Sequence, residues 1–339
     1  MMLKKLTLAL FLSVFLFSCS KKSNPAPEKP TGPIIPADAR WQQADNLTMV
    51  NTISAFSFTI DNKGYFLNEE NEAGKTVNLW VYDLATGQWT KKAPFPGASK
   101  MGFNGFVVNG KVYVGTGSGS AVANTPSVGN KAMFEYDPAT DKWTQKADFP
   151  GGERANTVAF SINGVGYMGL GVDILLTKKY SDMWKYDAAG DTWTKIADYP
   201  GDGQYLNKGF AAGNKGYVGM GISIADKTTV KKDIWQYDPA NNSWTKKLDF
   251  IGVARVFGVN FNINGTYYMG LGSGRNELLK DVWKYNETND TWLQVTNYPD
   301  EMAYGIIGFA IGDAAYVGGG ASYNPTAPGN LTHFWRFKP

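Results

Sequence analysis

The sequence predicts an all-β fold: a six-bladed β-propeller with four antiparallel strands per blade, its ring closed by the N-terminal strand around Trp41. A sixfold aromatic repeat, two spacings that never vary and a strand–turn–strand pattern inside each unit predict it. Trp41, Trp89, Trp143, Trp193, Trp244 and Trp292 form one series, and a tyrosine follows each by 24 residues, from Tyr65 to Tyr316. A further series, Trp80, Phe134, Trp184, Trp235 and Trp283, precedes the next tryptophan by nine residues, with Trp335 as its sixth member. Only the stretch from tyrosine to this third aromatic varies, between 15 and 21 residues. A constant spacing marks a fixed run of strands and turns, and a variable one marks a loop free to change length.

Each element within a unit has a local cause. Phe103–Val108 and Lys111–Gly115 flank Asn109-Gly110, a pair suited to the two positive-φ positions of a type I′ hairpin; Asn163-Gly164 and Asn264-Gly265 recur at the same place. The next hairpin runs from Met133 to Asp137, turns through Pro138-Ala139-Thr140-Asp141 and returns through Trp143. Four short strands per roughly 50 residues make one propeller blade. The last repeat stops at Trp335-Arg336-Phe337-Lys338 without an outer strand, while Ala39–Gln43 is an orphan outer strand at the other end. Joining the two closes the ring and removes the free edges of an open one.

The Tyr-Val-Gly-x-Gly strand ends, the Trp-x-Tyr-Asp hairpins and the tryptophan six residues after each such aspartate resemble kelch repeats, over residues 39–339. One departure is visible. An adjacent double glycine is found at Gly318-Gly319, whereas elsewhere the pair is spaced, as in Gly115/Gly117 and Gly169/Gly171, and the first unit has Leu67 and Glu69 instead. The resemblance implies a central channel lined by the innermost strands, with second-to-third-strand loops and inter-blade segments gathered on one face.

Residues 1–18 read as a lipoprotein signal peptide. Lys4 and Lys5 precede an apolar stretch from Leu6 to Phe17, which is short for a membrane span. Leu16-Phe17-Ser18-Cys19 resembles the lipobox of bacterial lipoproteins, which implies cleavage before Cys19, its lipidation and stable membrane attachment. Residues 19–38 follow as the lipidated cysteine and a tether holding five of the sixteen prolines. The expected address is an outer-membrane lipoprotein facing the periplasm, since no acidic residue follows Cys19 before Glu28.

Composition narrows the chemistry. Without Lys4 and Lys5 the chain carries 31 basic against 30 acidic residues, which leaves no surplus to neutralise a phosphate backbone and argues against nucleic acid as partner. Cys19 and His333 are the single cysteine and histidine, which removes disulfide frameworks, cysteine zinc sites and Ser-His-Asp catalysis. No cofactor and no metal site is expected, and a monomer is.

Function is expected on the face with the variable loops. Four residues past each repeat's proline position stand Lys100, Arg154, Gln204, Arg255, Ala303 and Thr52, so three cations begin inner strands around one channel mouth. With Glu153 and Glu301 nearby, such a ring suits an anionic or hydroxyl-rich ligand. Tyr180, Tyr205, Tyr304 and Tyr323 are candidates to stack on a ligand; the repeated tryptophans are expected in the core and Asp83, Asp137, Asp187 and Asp238 in turns. The leading expectation is a membrane-anchored envelope module that binds a protein or glycan. The alternative is a sugar mutarotase of the sialic-acid type, as found among exported bacterial kelch proteins, with Glu153 and Arg154 as candidate catalytic residues. A copper oxidase of the galactose-oxidase kind, which also uses this fold, is excluded by the missing histidines and cysteine.

Overall fold

The computed structural model describes residues 40–44, 55–69, 76–98, 101–119, 128–202, 204–226, 228–275, 277–301, 303–322 and 331–339. The signal segment, Cys19, the tether, Thr52, Lys100 and Tyr323 lie outside them.

Six four-stranded antiparallel sheets follow one another along the chain. Blade 1 comprises Phe56–Ile60, Lys63–Glu69, Val77–Asp83 and Gln88–Phe95. Blade 2 comprises Asn104–Val108, Lys111–Gly115, Met133–Asp137 and Lys142–Lys146, and blade 3 Val158–Ile162, Val165–Gly169, Met183–Asp187 and Thr192–Lys195. Blade 4 is Lys208–Ala212, Lys215–Gly219, Ile234–Asp238 and Ser243–Lys246; blade 5 is Val259–Ile263, Thr266–Gly270, Asp281–Asn286 and Thr291–Asn297. In blade 6, Ile307–Ile311, Ala314–Gly318 and Phe334–Phe337 are completed by Trp41–Ala44, which pairs Trp41 with Phe337 and Ala44 with Phe334. The expected closure by the N-terminal strand is therefore how the ring is built.

First strands of neighbouring blades pack around a central axis, except that the first strand of blade 4 meets the second strand of blade 5, and blade 6 returns to blade 1. Side chains lock some of these contacts: Ser57 and Thr59 donate to the carbonyls of Gly308 and Ala310 at 2.8 and 2.7 Å, and Ser161 donates to the Val107 carbonyl at 2.6 Å.

Each of the six junctions between blades has its own apolar core. The invariant tyrosine of one blade meets the third-strand aromatic of the next. Tyr113 lies 5.2 Å from Tyr186, Tyr167 5.7 Å from Tyr237, Tyr217 5.2 Å from Tyr285, and Tyr268 5.6 Å from Phe337. These separations fall in the range where ring edges and faces attract beyond simple burial. Outer-strand tryptophans add directional bonds, as Trp143, Trp193 and Trp244 donate to the carbonyls of Ala93, Ala147 and Ala197 in the preceding blade. The rigid aromatic spacing in the sequence is thus a junction repeated around a ring.

The spaced glycines have a steric cause. At Gly169 a Cβ would run into the Asp182 carbonyl; at Gly171, where φ is +91°, it would run into that of Ala155. Between them Leu170 sits at φ +55°, a left-handed conformation that a side chain tolerates at a cost. Thr116, Met220 and Leu271 occupy the same position in their blades. Relative to Gly318-Gly319, the first glycine is therefore retained, and the second is replaced by a residue that keeps its left-handed backbone.

Candidate functional site

Inter-blade segments and second-to-third-strand loops meet on one face, where backbone pairing ties them into a second tier. Met101 bridges Ser118, Ala155 bridges Val172, Gln204–Tyr205 pairs with Ile222–Ser223, and Val256 bridges Ser273. One more bridge, between Asn130 and Arg154, joins a loop of blade 2 to the entry of blade 3. The described loop segments of blades 2 to 5 are thus pinned around the channel mouth.

The two described arginines of the expected cation ring belong to this scaffold. Arg154 and Arg255 are 1% and 2% exposed. Arg154 reaches Asp182 at 2.7 Å and donates to the carbonyls of Leu170 and Gly151. Arg255 grips Asp281 with both terminal nitrogens, at 2.7 and 2.6 Å, and its Nε donates to the Val253 carbonyl. Each guanidinium lies over a phenylalanine, Phe149 or Phe250, at 5.0 Å. The aspartates in turn accept from the third-strand tryptophans Trp184 and Trp283. Burial pushes the Asp182 carboxyl up, but the bonds from Arg154 and Trp184 and the charge of Arg154 outweigh it and hold the group below the usual carboxylate range. These cations brace strand ends inside the protein instead of ringing an open mouth.

The stacking candidates divide in the same way. Tyr205 is 3% exposed and belongs to a seventh apolar cluster, with Val172, Leu176, Ile222 and Val256, beneath the loops of blades 3 to 5. Tyr180 is half-buried and stacks on Arg154, 3.8 Å from the guanidinium. Tyr304 and Gln204 lie in two-residue strands on that face, at Ala303–Tyr304 and Gln204–Tyr205. Glu153 is exposed, whereas the side chain of its neighbour Arg154 is turned inward. His333 pairs with Asp300 at 2.7 Å, and Trp335 donates to the same carboxylate at 2.9 Å. In blade 6 the carboxylate under the tryptophan therefore comes from the inter-blade segment. The turn aspartates do initiate turns, each accepting from the amide two residues on, as Asp137 does from Ala139 at 2.9 Å.

Residues that the repeat reading passed over line the mouth. A cavity of about 130 Å³ is bounded by Gly102, Asn104, Asn156, Thr157, Asn207, Lys208 and Phe257, at the starts of the inner strands of blades 2 to 5. Eleven residues before five of the six repeat tyrosines the backbone is left-handed, at Gly102, Asn156, Leu206, Phe257 and Gly305. Glycine or asparagine fills three of these positions at little cost, whereas Phe257, at φ +57° and 44% exposed, is both strained and uncovered. Nine residues before the tyrosine stand Phe56, Asn104, Val158, Lys208, Val259 and Ile307. A lysine among these is a signal that an alignment of the repeats exposes. Desolvation in the channel lowers Lys208 to about 8. A larger cavity of about 440 Å³ opens between the inner strands of blades 1, 5 and 6, lined by Ser57, Thr59, Asn62, Asn260 and Asn262 toward the hairpin-turn end.

No family model matches the chain. Kelch-like protein 25 of Xenopus tropicalis is 36% identical over 81 residues, 23% of this chain and 13% of that protein. Kelch-like protein terF of Aspergillus terreus is 38% identical over 90 residues, 26% of this chain and 19% of that one. The alignments thus span less than a fifth of either relative. Among solved structures, that of YjhT superposes with a TM-score of 0.69 at 16% identity, covering 86% of this chain and 95% of that one, a likeness of fold. Repeats, blades and comparisons agree: the chain is a six-bladed β-propeller built from kelch-type repeats.

Proposed function

We propose that this propeller is a binding module that seats a protein or glycan ligand on its loop-rich face, over the channel mouth. The observation that carries this reading is Phe257, a bulky aromatic held exposed in left-handed backbone at the rim of the cavity. Strain of that kind persists where surrounding structure enforces it, and it gathers at ligand sites. Exposed Leu175 and Val128, on loops of blades 3 and 2, add apolar surface outside the channel. Folded loops that are pinned before binding lose less freedom on contact, which favours recognition.

A second reading, a mutarotase of the sialic-acid type, is favoured by one observation. Lys208, lowered to about 8, can exchange a proton near neutral pH as ring opening of a sugar requires. Arg154 is less suited to clamp a substrate carboxylate, because Asp182 already occupies it. Proton NMR of the protein mixed with reducing sugars, sialic acid among them, separates the readings. Saturation transfer without faster anomer exchange is expected, and accelerated exchange would make the chain an enzyme.

The envelope address is part of the same proposal and rests on the Leu16–Cys19 motif. A Cys19→Ser chain is expected to leave the membrane fraction, and its retention there would remove the lipid anchor from the reading.

A further inference from the structure

Lys208 begins the inner strand of blade 4 and lines the mouth cavity between blades 2 and 5. At the corresponding place blades 1, 3, 5 and 6 carry Phe56, Val158, Val259 and Ile307, so packing there calls for an apolar side chain. Among the described residues Lys208 makes no ion pair, and no carboxylate or other titratable side chain lines the cavity. The Lys208 side chain is half-buried there, so the ammonium keeps part of its water but has no counter-charge to replace what it loses.

The amide and hydroxyl groups around Lys208 are covered or engaged. The Asn156 Nδ2 atom is buried without a hydrogen-bond partner. Asn156 also sits at φ +56°, and its backbone N–H donates a hydrogen bond to the Gly102 carbonyl at 2.8 Å. Asn104 cannot serve as its complement. Its Nδ2 is committed to the Thr157 carbonyl at 2.6 Å, and its Oδ1 accepts from the Gly105 amide at 2.8 Å. Thr157 is likewise engaged, its hydroxyl 3.0 Å from that of Thr116. The group the cavity leaves to a ligand is therefore the Lys208 ammonium, and its natural complement is an acceptor carrying negative charge.

We propose that the channel mouth is a carboxylate subsite, in which Lys208 donates to a small carboxylate or to the carboxylate end of a larger ligand entering past Phe257. A cavity of about 150 Å³ holds benzene, so the 130 Å³ space here admits a group of roughly six heavy atoms. A carboxylate bound there returns to Lys208 the charge stabilisation that desolvation removes. Binding is then strongest below pH 8 and weakens as the ammonium titrates, with proton uptake when a carboxylate binds above that pH. The proposal deepens the binding reading above and rests on it for the face from which a ligand enters.

Calorimetric titration of the full chain with propionate, propionamide and inorganic phosphate tests it, at pH 7 and pH 9.5. Propionate is expected to bind, propionamide not to bind, and affinity to fall by roughly tenfold or more at pH 9.5. Lys208→Met, which restores the apolar character of the other blades, is expected to remain folded and to lose propionate binding. Equal binding of propionate by Lys208→Met, or no binding by the folded parent chain, overturns the proposal. Phosphate binding in preference to propionate overturns its assignment to carboxylates. A glycan or protein that binds parent and Lys208→Met equally, when propionate binds neither, overturns the subsite and leaves the binding module standing.

Discussion

Blades 3 and 5 differ from blade 4 at two equivalent positions. In the first two an arginine enters ahead of the inner strand, turns inward and closes on the aspartate below the third-strand tryptophan, as Arg154–Asp182 and Arg255–Asp281. Their inner strands then begin with Val158 and Val259, which pack. In blade 4 the arginine is replaced by Gln204, Asp233 still accepts from Trp235 at 3.2 Å, and the inner strand begins with Lys208. The positive charge has moved from a paired place in the scaffold to an unpaired one in the channel. A charge that recurs with its partner serves the architecture; a charge that breaks the repeat, with no partner, is the better guide to a ligand.

The largest effect tests the scaffold half of that contrast. Arg255→Ala strands the Asp281 carboxylate, whose side chain is 16% exposed, and removes the guanidinium packed on Phe250. Breaking a buried pair from one side costs about 3–5 kcal/mol, whereas replacing both partners by apolar residues is often close to neutral. Urea titration is expected to show that loss for Arg255→Ala and a largely restored stability for the double variant Arg255→Met/Asp281→Leu. Arg154→Ala is expected to cost somewhat less, since the Arg154 Nε has no acceptor while that of Arg255 bonds the Val253 carbonyl. A cost under about 1 kcal/mol for both would return the arginines to the list of ligand groups.

What was legible in the sequence follows from what repetition can encode. The aromatic spacings exposed the blades, the orphan Trp41 strand exposed the closure, and Asp137 and its equivalents were read as turn residues, because each is a local or periodic requirement. The site was harder to read. Four residues past each proline, Arg154 and Arg255 look like a charged rim in one dimension, but their partners Asp182 and Asp281 lie 28 and 26 residues away, across a loop of variable length. Tyr205 looks like an exposed loop aromatic until Leu176 and Val256, from neighbouring blades, cover it. Phe257 shows only once the repeats are aligned, where it stands at the position that Gly102, Asn156 and Gly305 fill with the same left-handed backbone. Lys208 was visible in principle: it breaks a column that is apolar in four other blades.

The smaller effect tests the channel half, and its sign is opposite to that of the arginines. Lys208 is lowered from the usual lysine value to about 8, so between pH 8 and 10.5 the unfolded chain holds more protons than the folded one. Stability contributed by this position therefore rises with pH across that window, and the charged form weakens the fold below it. Buried tyrosines confine the useful range: desolvation raises Tyr167, Tyr205 and Tyr268, so they draw stability down once unfolded tyrosines ionise near pH 10. Comparing parent and Lys208→Met by urea titration from pH 7 to 9.5, without added carboxylate, isolates the lysine. The methionine chain is expected to be more stable at pH 7, by on the order of 1–3 kcal/mol, with the gap closing toward pH 9.5. A gap of the reverse sign, or one that does not change with pH, would mean that Lys208 is solvated or paired in the channel, and blade 4 would then differ from blades 3 and 5 in sequence alone.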